Sequence, residues 1–177
     1  LHGEGHSFPT RRSSDLLLSF HGFSEVAQRQ QVQAVTWNLE GPRRQDWPSP
    51  FFYPLAPEES VAGCIYLRRL RAIEEDSVML EHTYLPADGM EDLLHRPFVD
   101  GSLFTTLNRW YCIEVEWVEQ ETRAIVATGD TAAMLQLAEG APLLHIYRRY
   151  GTNRDGWYLY SSLYCNTDKY AIGARFG

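Results

Sequence analysis

Hydrophobic and polar positions alternate most regularly in the stretch "CIYLRRLRAIEEDSVMLEHTYLP", residues 64–86. A period of two predicts a pair of strands, and the polar run Glu74, Glu75, Asp76 predicts the turn between them. A three-residue loop sets Ile73 against Ser77, Arg71 against Met79 and Arg69 against Glu81. Arg69 and Arg71 then share a face with Ile65 and Leu67, whereas Arg68 points away with Tyr66 and Leu70, and His82 points away from Glu81. A slip of one residue would move Arg69 and Glu81 to opposite faces, so the register is a sharp expectation.

The rest of the chain divides by the same criteria. Residues 1–14 are polar and rich in turn formers and read as a linker or tail. Ser24 is placed to cap a short helix over 25–30, and "VQAVTWNLE" reads as a strand. Five prolines break "GPRRQDWPSPFFYPLAPEES", which predicts no long strand or helix there. "ADGMEDLLHRP" predicts a short helix closed by Pro97, and "DGSLFTTLNRWY" a longer one with Leu103, Phe104, Leu107 and Tyr111 on one side. "IEVEWVEQETRAIVAT" alternates as a strand. "GDTAAMLQLAEGAP" predicts a helix started by Asp130 or Thr131 and ended by Gly140. "PLLHIYRRYGT" and "GWYLYSSLYCN" predict two strands joined by a turn at 153–156, and "DKYAIGARFG" a final strand. Short connections between strands favour antiparallel pairing, so the expected class is α+β, an antiparallel sheet flanked by short helices.

Composition narrows the partners. The 177 residues are 44% hydrophobic and 13% aromatic, enough for one domain with a real core. A net charge of -7 without a basic run argues against the chain gripping nucleic acid by itself. No apolar run is long enough to span a bilayer, and no signal-peptide pattern opens the chain. Cys64, Cys112 and Cys165 are far apart and lack a C-x-x-C spacing, which predicts buried, reduced thiols in a cytoplasmic protein, with no metal site and no cofactor.

The chemistry centres on the guanidinium groups. A cross-strand ion pair on a solvated sheet face would contribute little. The alternative is a pocket in which Glu81 holds Arg69 and leaves Arg71 free for an anion, since a guanidinium fork donates two bonds at once to phosphate or carboxylate. Ser24 and Ser102 each begin an expected helix, where unpaired backbone N–H groups favour anions. No G-x-S-x-G, H-E-x-x-H or Walker pattern is present.

Taken in order, these motifs resemble the effector-binding (UTRA) domain of GntR-type transcription regulators of the HutC subfamily. The likeness rests on Arg69, Arg71, Glu81 and "YLP" at 84–86, on "GFSEVAQRQ", on "GSLFTTL", and on "GAPLLHIYRRYGTNRDGWYLYSSLYCNTDKYAI". "GEGHSF" resembles the end of the wing of that family's winged helix, which makes residues 1–14 a linker or wing remnant and 15–177 the effector-binding domain. The resemblance implies a chorismate lyase-like fold and a homodimer. It also implies a small anionic effector, phosphosugar-like or otherwise phosphorylated or carboxylated, and contact with operator DNA only through a winged-helix domain absent from this chain. By position it assigns Arg69, Arg71, Ser24 and Ser102 to the phosphate, Glu81 and Phe23 to the effector beside it, and Phe104, Tyr160 and Ser161 to the remaining lining. Leu159 stands where many members have an acidic residue, and Asn166 where they often have Arg, so the non-phosphate end departs from the family. The implied role is a sensor in a repressor; a lyase of the same fold is the alternative, and a dimerisation module without a ligand is a third. Tyr158, Tyr160 and Tyr164 are candidates for the dimer interface.

Overall fold

Six strands form one antiparallel sheet in the order β1-β2-β3-β6-β5-β4 in the computed structural model, which describes Phe23, Gln31 and residues 33–168. The strands are β1 (Ala34–Gln45), β2 (Cys64–Ile73), β3 (Asp76–Pro86), β4 (Val115–Val126), β5 (Pro142–Thr152) and β6 (Tyr158–Cys165). Three short helices within residues 33–168 accompany them: α1 (Pro57–Ala62), α2 (Leu103–Tyr111) and α3 (Gly129–Met134). The expected α+β class is therefore observed. The expected helix over 25–30 and, beyond Asp168, the final strand in "DKYAIGARFG" lie outside the described residues.

Burial follows position in the sheet. β2, β3, β5 and β6 are buried through most of their length on both faces, and the β-branched and aromatic residues they carry suit that setting. β1 and β4 are the edges, and β4 exposes Glu116, Glu119, Glu121 and Arg123 along its length. Charged side chains there discourage pairing with another chain.

Alternation gives the sheet two unlike faces. On one, α2 seats Leu103 and Leu107 against Ile65, Leu67, Leu85, Tyr150 and Leu159. Further along that face Phe23 packs with Ile73, Met79, Ile146, Leu163 and Cys165. On the other, α3 and the turn after it pack Ala132 and Leu135 on Leu80 and Leu143. Arg68, which points to this side, forms an ion pair with Asp130 of α3. The 46–55 segment covers the neighbouring area with Trp47, Phe51, Phe52 and Tyr53, packed on Tyr84 and Tyr160.

Several expectations need correction. β1 runs on to Gln45, through Pro42, although the prolines of that segment were expected to stop a strand. An edge strand tolerates proline, and register shifts after Asn38 and Glu40 absorb the misfit. The same segment also holds helix α1, with Pro57 in its first turn and Glu59 accepting from the Ala56 amide at 2.9 Å. The 91–94 helix is a single 3-10 turn, and α3 ends at Met134 with no side-chain cap from Asp130 or Thr131. The hairpin tip is tighter than expected. Ile73 pairs with Asp76 and Ala72 with Ser77, while a bulge at Val78 restores the predicted pairs Arg71–Met79 and Arg69–Glu81. Cys64 and Cys165 are buried thiols, but Cys112 is exposed.

Candidate functional site

The hairpin register carries Arg69, Arg71, Glu81 and Thr83 onto the α2 face, in the middle of the sheet. β6 adds Ser161 directly opposite Thr83, and β5 adds Arg148 opposite Ser161. β4 supplies Gln120 opposite Arg148, and β1 supplies Thr36 opposite Arg71. A polar belt thus crosses all six strands between two apolar clusters, one under α2 and one around Phe23.

Within the belt the side chains are nearly closed to solvent: Arg69 is 2%, Arg71 5% and Glu81 7% exposed. Arg71 donates from Nε and Nη2 to Glu81 Oε2 at 2.9 and 2.7 Å, and from Nη1 to Thr36 Oγ1 at 2.8 Å. Arg69 is held more loosely. Its Nη2 lies 3.1 Å from Glu81 Oε1 and 3.5 Å from Thr83 Oγ1, while its buried Nε has no partner among the described residues. Thr83 donates to Glu81 Oε1 at 3.1 Å and stands 3.5 Å from Ser161 Oγ. The expected division of labour is reversed: Glu81 binds Arg71 more fully, and the spare donor belongs to Arg69.

The charges explain the tension. Burial works to raise the Glu81 pKa, but Arg69, Arg71 and the hydrogen bonds from Arg71 and Thr83 outweigh it and hold the carboxyl at about 2. Burial, and then repulsion from Arg71, pulls Arg69 down to about 10, which still leaves it charged at neutral pH. Two guanidinium groups face one carboxylate, so this trio holds one positive charge more than it neutralises. A buried guanidinium with an empty donor is costly unless an anion meets it.

The other expected residues fall unequally around this cluster. Phe23 lies under Arg71, its ring centroid 5.0 Å from the guanidinium carbon, which places it against the cluster. Ser161 is in the belt. Phe104 reaches it indirectly: its ring meets Tyr150 edge-on at 5.4 Å, and the Tyr150 hydroxyl is 3.4 Å from Arg148 Nη1. Ser102 is 6% exposed and caps α2, accepting from the Thr105 amide at 3.2 Å. Ser24 lies outside the described residues. Tyr160 is not brought to the belt. It neighbours Ser161 in an extended strand, so its side chain projects to the opposite face, where its hydroxyl donates to Glu59 at 3.3 Å. The segment that covers Tyr160 also removes it from any exposed tyrosine surface, while Tyr158 and Tyr164 remain partly open.

Arg148 was missed from the sequence. It is 3% exposed and donates from Nε to Gln120 Oε1 at 2.9 Å. The signal was available: in "IYRRY" it alternates with Ile146 and Tyr150, as Arg69 does with Leu67. Among the described residues no group of three or more His, Cys, Asp or Glu is arranged to hold a metal. No helix among them is long and apolar enough to cross a membrane.

The fold recurs in known structures. The UTRA domain family matches residues 55–171, and the chain belongs to that family. The effector domain of PhnF from Mycobacterium smegmatis superposes with a TM-score of 0.72 at 18% identity, covering 96% of this chain and 98% of that one. The ligand-binding domain assigned to a GntR-family transcriptional regulator from Bordetella bronchiseptica gives 0.69 at 19% identity, over 82% of this chain and 90% of that one. The regulator YydK from Bacillus subtilis gives 0.67 at 15% identity, over 82% of this chain. This chain spans only 62% of YydK's length. No curated protein matches the chain significantly in sequence.

Proposed function

We propose that this chain is the effector-sensing domain of a GntR-type, HutC-like transcription regulator, and that it binds a small anionic metabolite carrying a phosphate or carboxylate. The observation that carries this reading is the Arg69–Arg71–Glu81 cluster, buried, net positive, and with Arg69 Nε unpaired. An anion would accept from Arg69 and from the Ser161 hydroxyl, while Phe23 shields Arg71 from water. Family membership supports the regulatory role.

In this reading the domain is cytoplasmic and dimeric, residues 1–14 lead from a DNA-binding winged helix, and effector binding shifts the dimer between states of different operator affinity. The acidic balance of the chain suits a domain that leaves DNA contact to another. A lyase reading needs a carboxylic acid at the site. Glu81, held at about 2 by its arginines, has no proton to give at neutral pH.

Thermal unfolding in the presence of phosphorylated sugars, phosphorylated amines and dicarboxylates tests the proposal. One class should raise the midpoint with a logarithmic dependence on concentration. If none does so at millimolar levels, the sensing role fails and a dimerisation module remains.

A further inference from the structure

The α3 face carries an opening, on the far side of the sheet from the arginine belt. A cleft of about 470 Å³ lies between the 46–55 segment and strands β3, β6 and β5. Phe51 and Phe52 wall it on one side, and Tyr84, Tyr147 and Tyr164 line the sheet side. Two histidines sit among these rings. His145 Nε2 is 2.7 Å from Ser162 Oγ, and its ring stacks on Tyr164 at 4.1 Å and 15°. His82 Nδ1 is 2.8 Å from the Tyr66 hydroxyl. These bonds leave His145 Nδ1 and His82 Nε2 without a hydrogen-bond partner among the described residues.

The interior of the cleft is uncharged. Burial, then Arg68, lowers the His82 pKa to about 4, and burial, then His82 and Arg123, lowers that of His145 to about 4. Both rings are neutral at pH 7, and burial raises the phenols of Tyr84 and Tyr164 away from ionisation. The charge is at the mouth. Arg123 projects from edge strand β4 with its guanidinium 5.7 Å from the Tyr147 ring centre, and its partner is Glu121 at 3.3 Å, both largely exposed. A ligand that put a charge inside would bear the full desolvation penalty, whereas a flat ring would meet aromatic faces and two spare imidazole nitrogens.

We propose that this cleft is a second small-molecule site, for a planar aromatic monocarboxylate whose ring enters between the aromatic walls and the histidines while its carboxylate stays at the mouth on Arg123. The site is independent of the anion proposed at Arg69 and stands apart from it by the thickness of the sheet.

The test is NMR of the 177-residue chain with isotope-labelled histidine, the two ring signals being assigned through His82→Gln and His145→Gln. Benzoate should shift both signals saturably, with a dissociation constant of order 1 mM. Arg123→Glu should weaken benzoate about threefold to fivefold and leave its uncharged analogue benzamide unaffected. Arg69→Met should leave both compounds unaffected, and inorganic phosphate should not move these signals. The proposal is overturned if benzoate causes no saturable shift up to about 20 mM, or if the shift disappears in Arg69→Met but persists in Arg123→Glu.

Discussion

Arg69 and Arg71 are two residues apart on one strand, face the same carboxylate, and should respond in opposite ways to loss of charge. Arg71 makes two bonds to Glu81 and one to Thr36. Arg71→Met would strip those bonds from a buried carboxylate, at a cost of about 3–5 kcal/mol. Arg69→Met would instead leave a balanced Arg71–Glu81 pair and remove an unpaired donor. Its stability without ligand should be unchanged or raised, as read from urea unfolding midpoints. The pH dependence follows from the same groups. Glu81 has a folded pKa below its ordinary value of 4.5, so its stabilisation is complete above that value and is lost as pH falls toward about 2. His82 and His145 have folded values of about 4 against 6.5, so the unfolded chain takes up protons first and stability already declines between pH 6.5 and 4. Unfolding curves should show both phases, and His145→Gln should shrink only the upper one. Period-two alternation made the buried arginines legible in the sequence. Which of them Glu81 prefers was not legible, because that depends on side-chain reach across a diagonal pair. The conflict at Tyr160 and Ser161 was visible in principle, since neighbours in a strand cannot line one pocket.

Among the elements, β1 does more than close an edge. It delivers Thr36 to Arg71, and its course past Pro42 launches the aromatic segment that covers Tyr160. The bend depends on Gly41, whose φ is +78° and whose added Cβ would lie 2.3 Å from the Tyr66 carbonyl oxygen. Gly41→Ala should cost about 1–3 kcal/mol in chemical denaturation while α2, packed at the other face, keeps its helical signal. Strands β2 to β6 and α2 were legible because alternation or helical spacing runs through most of each, and α2 has a capping serine. The 40–56 region was not legible, because prolines read as breaks whether the chain forms an edge strand, a cover or a helix start. What orders it is long-range contact, such as Trp47 Nε1 donating to the Glu59 carbonyl oxygen at 2.7 Å.

For the molecule as a whole, the sheet separates two chemistries. One face buries a net positive belt across six strands; the other presents neutral histidines in an aromatic cleft. The -7 charge of the chain is carried mainly on its surface and gives no hint of the cationic interior. That contrast was inferable from the sequence only through strand alternation, and it supports a domain that attracts a small anion into its core without attracting nucleic acid. The measurement that tests this most directly is a calorimetric titration of the chain with inorganic phosphate, compared with Arg69→Met. The predicted result is saturable binding to one site in the parent chain and none in the variant, with both remaining folded. Equal heats in the two proteins, or none in the parent, would contradict it.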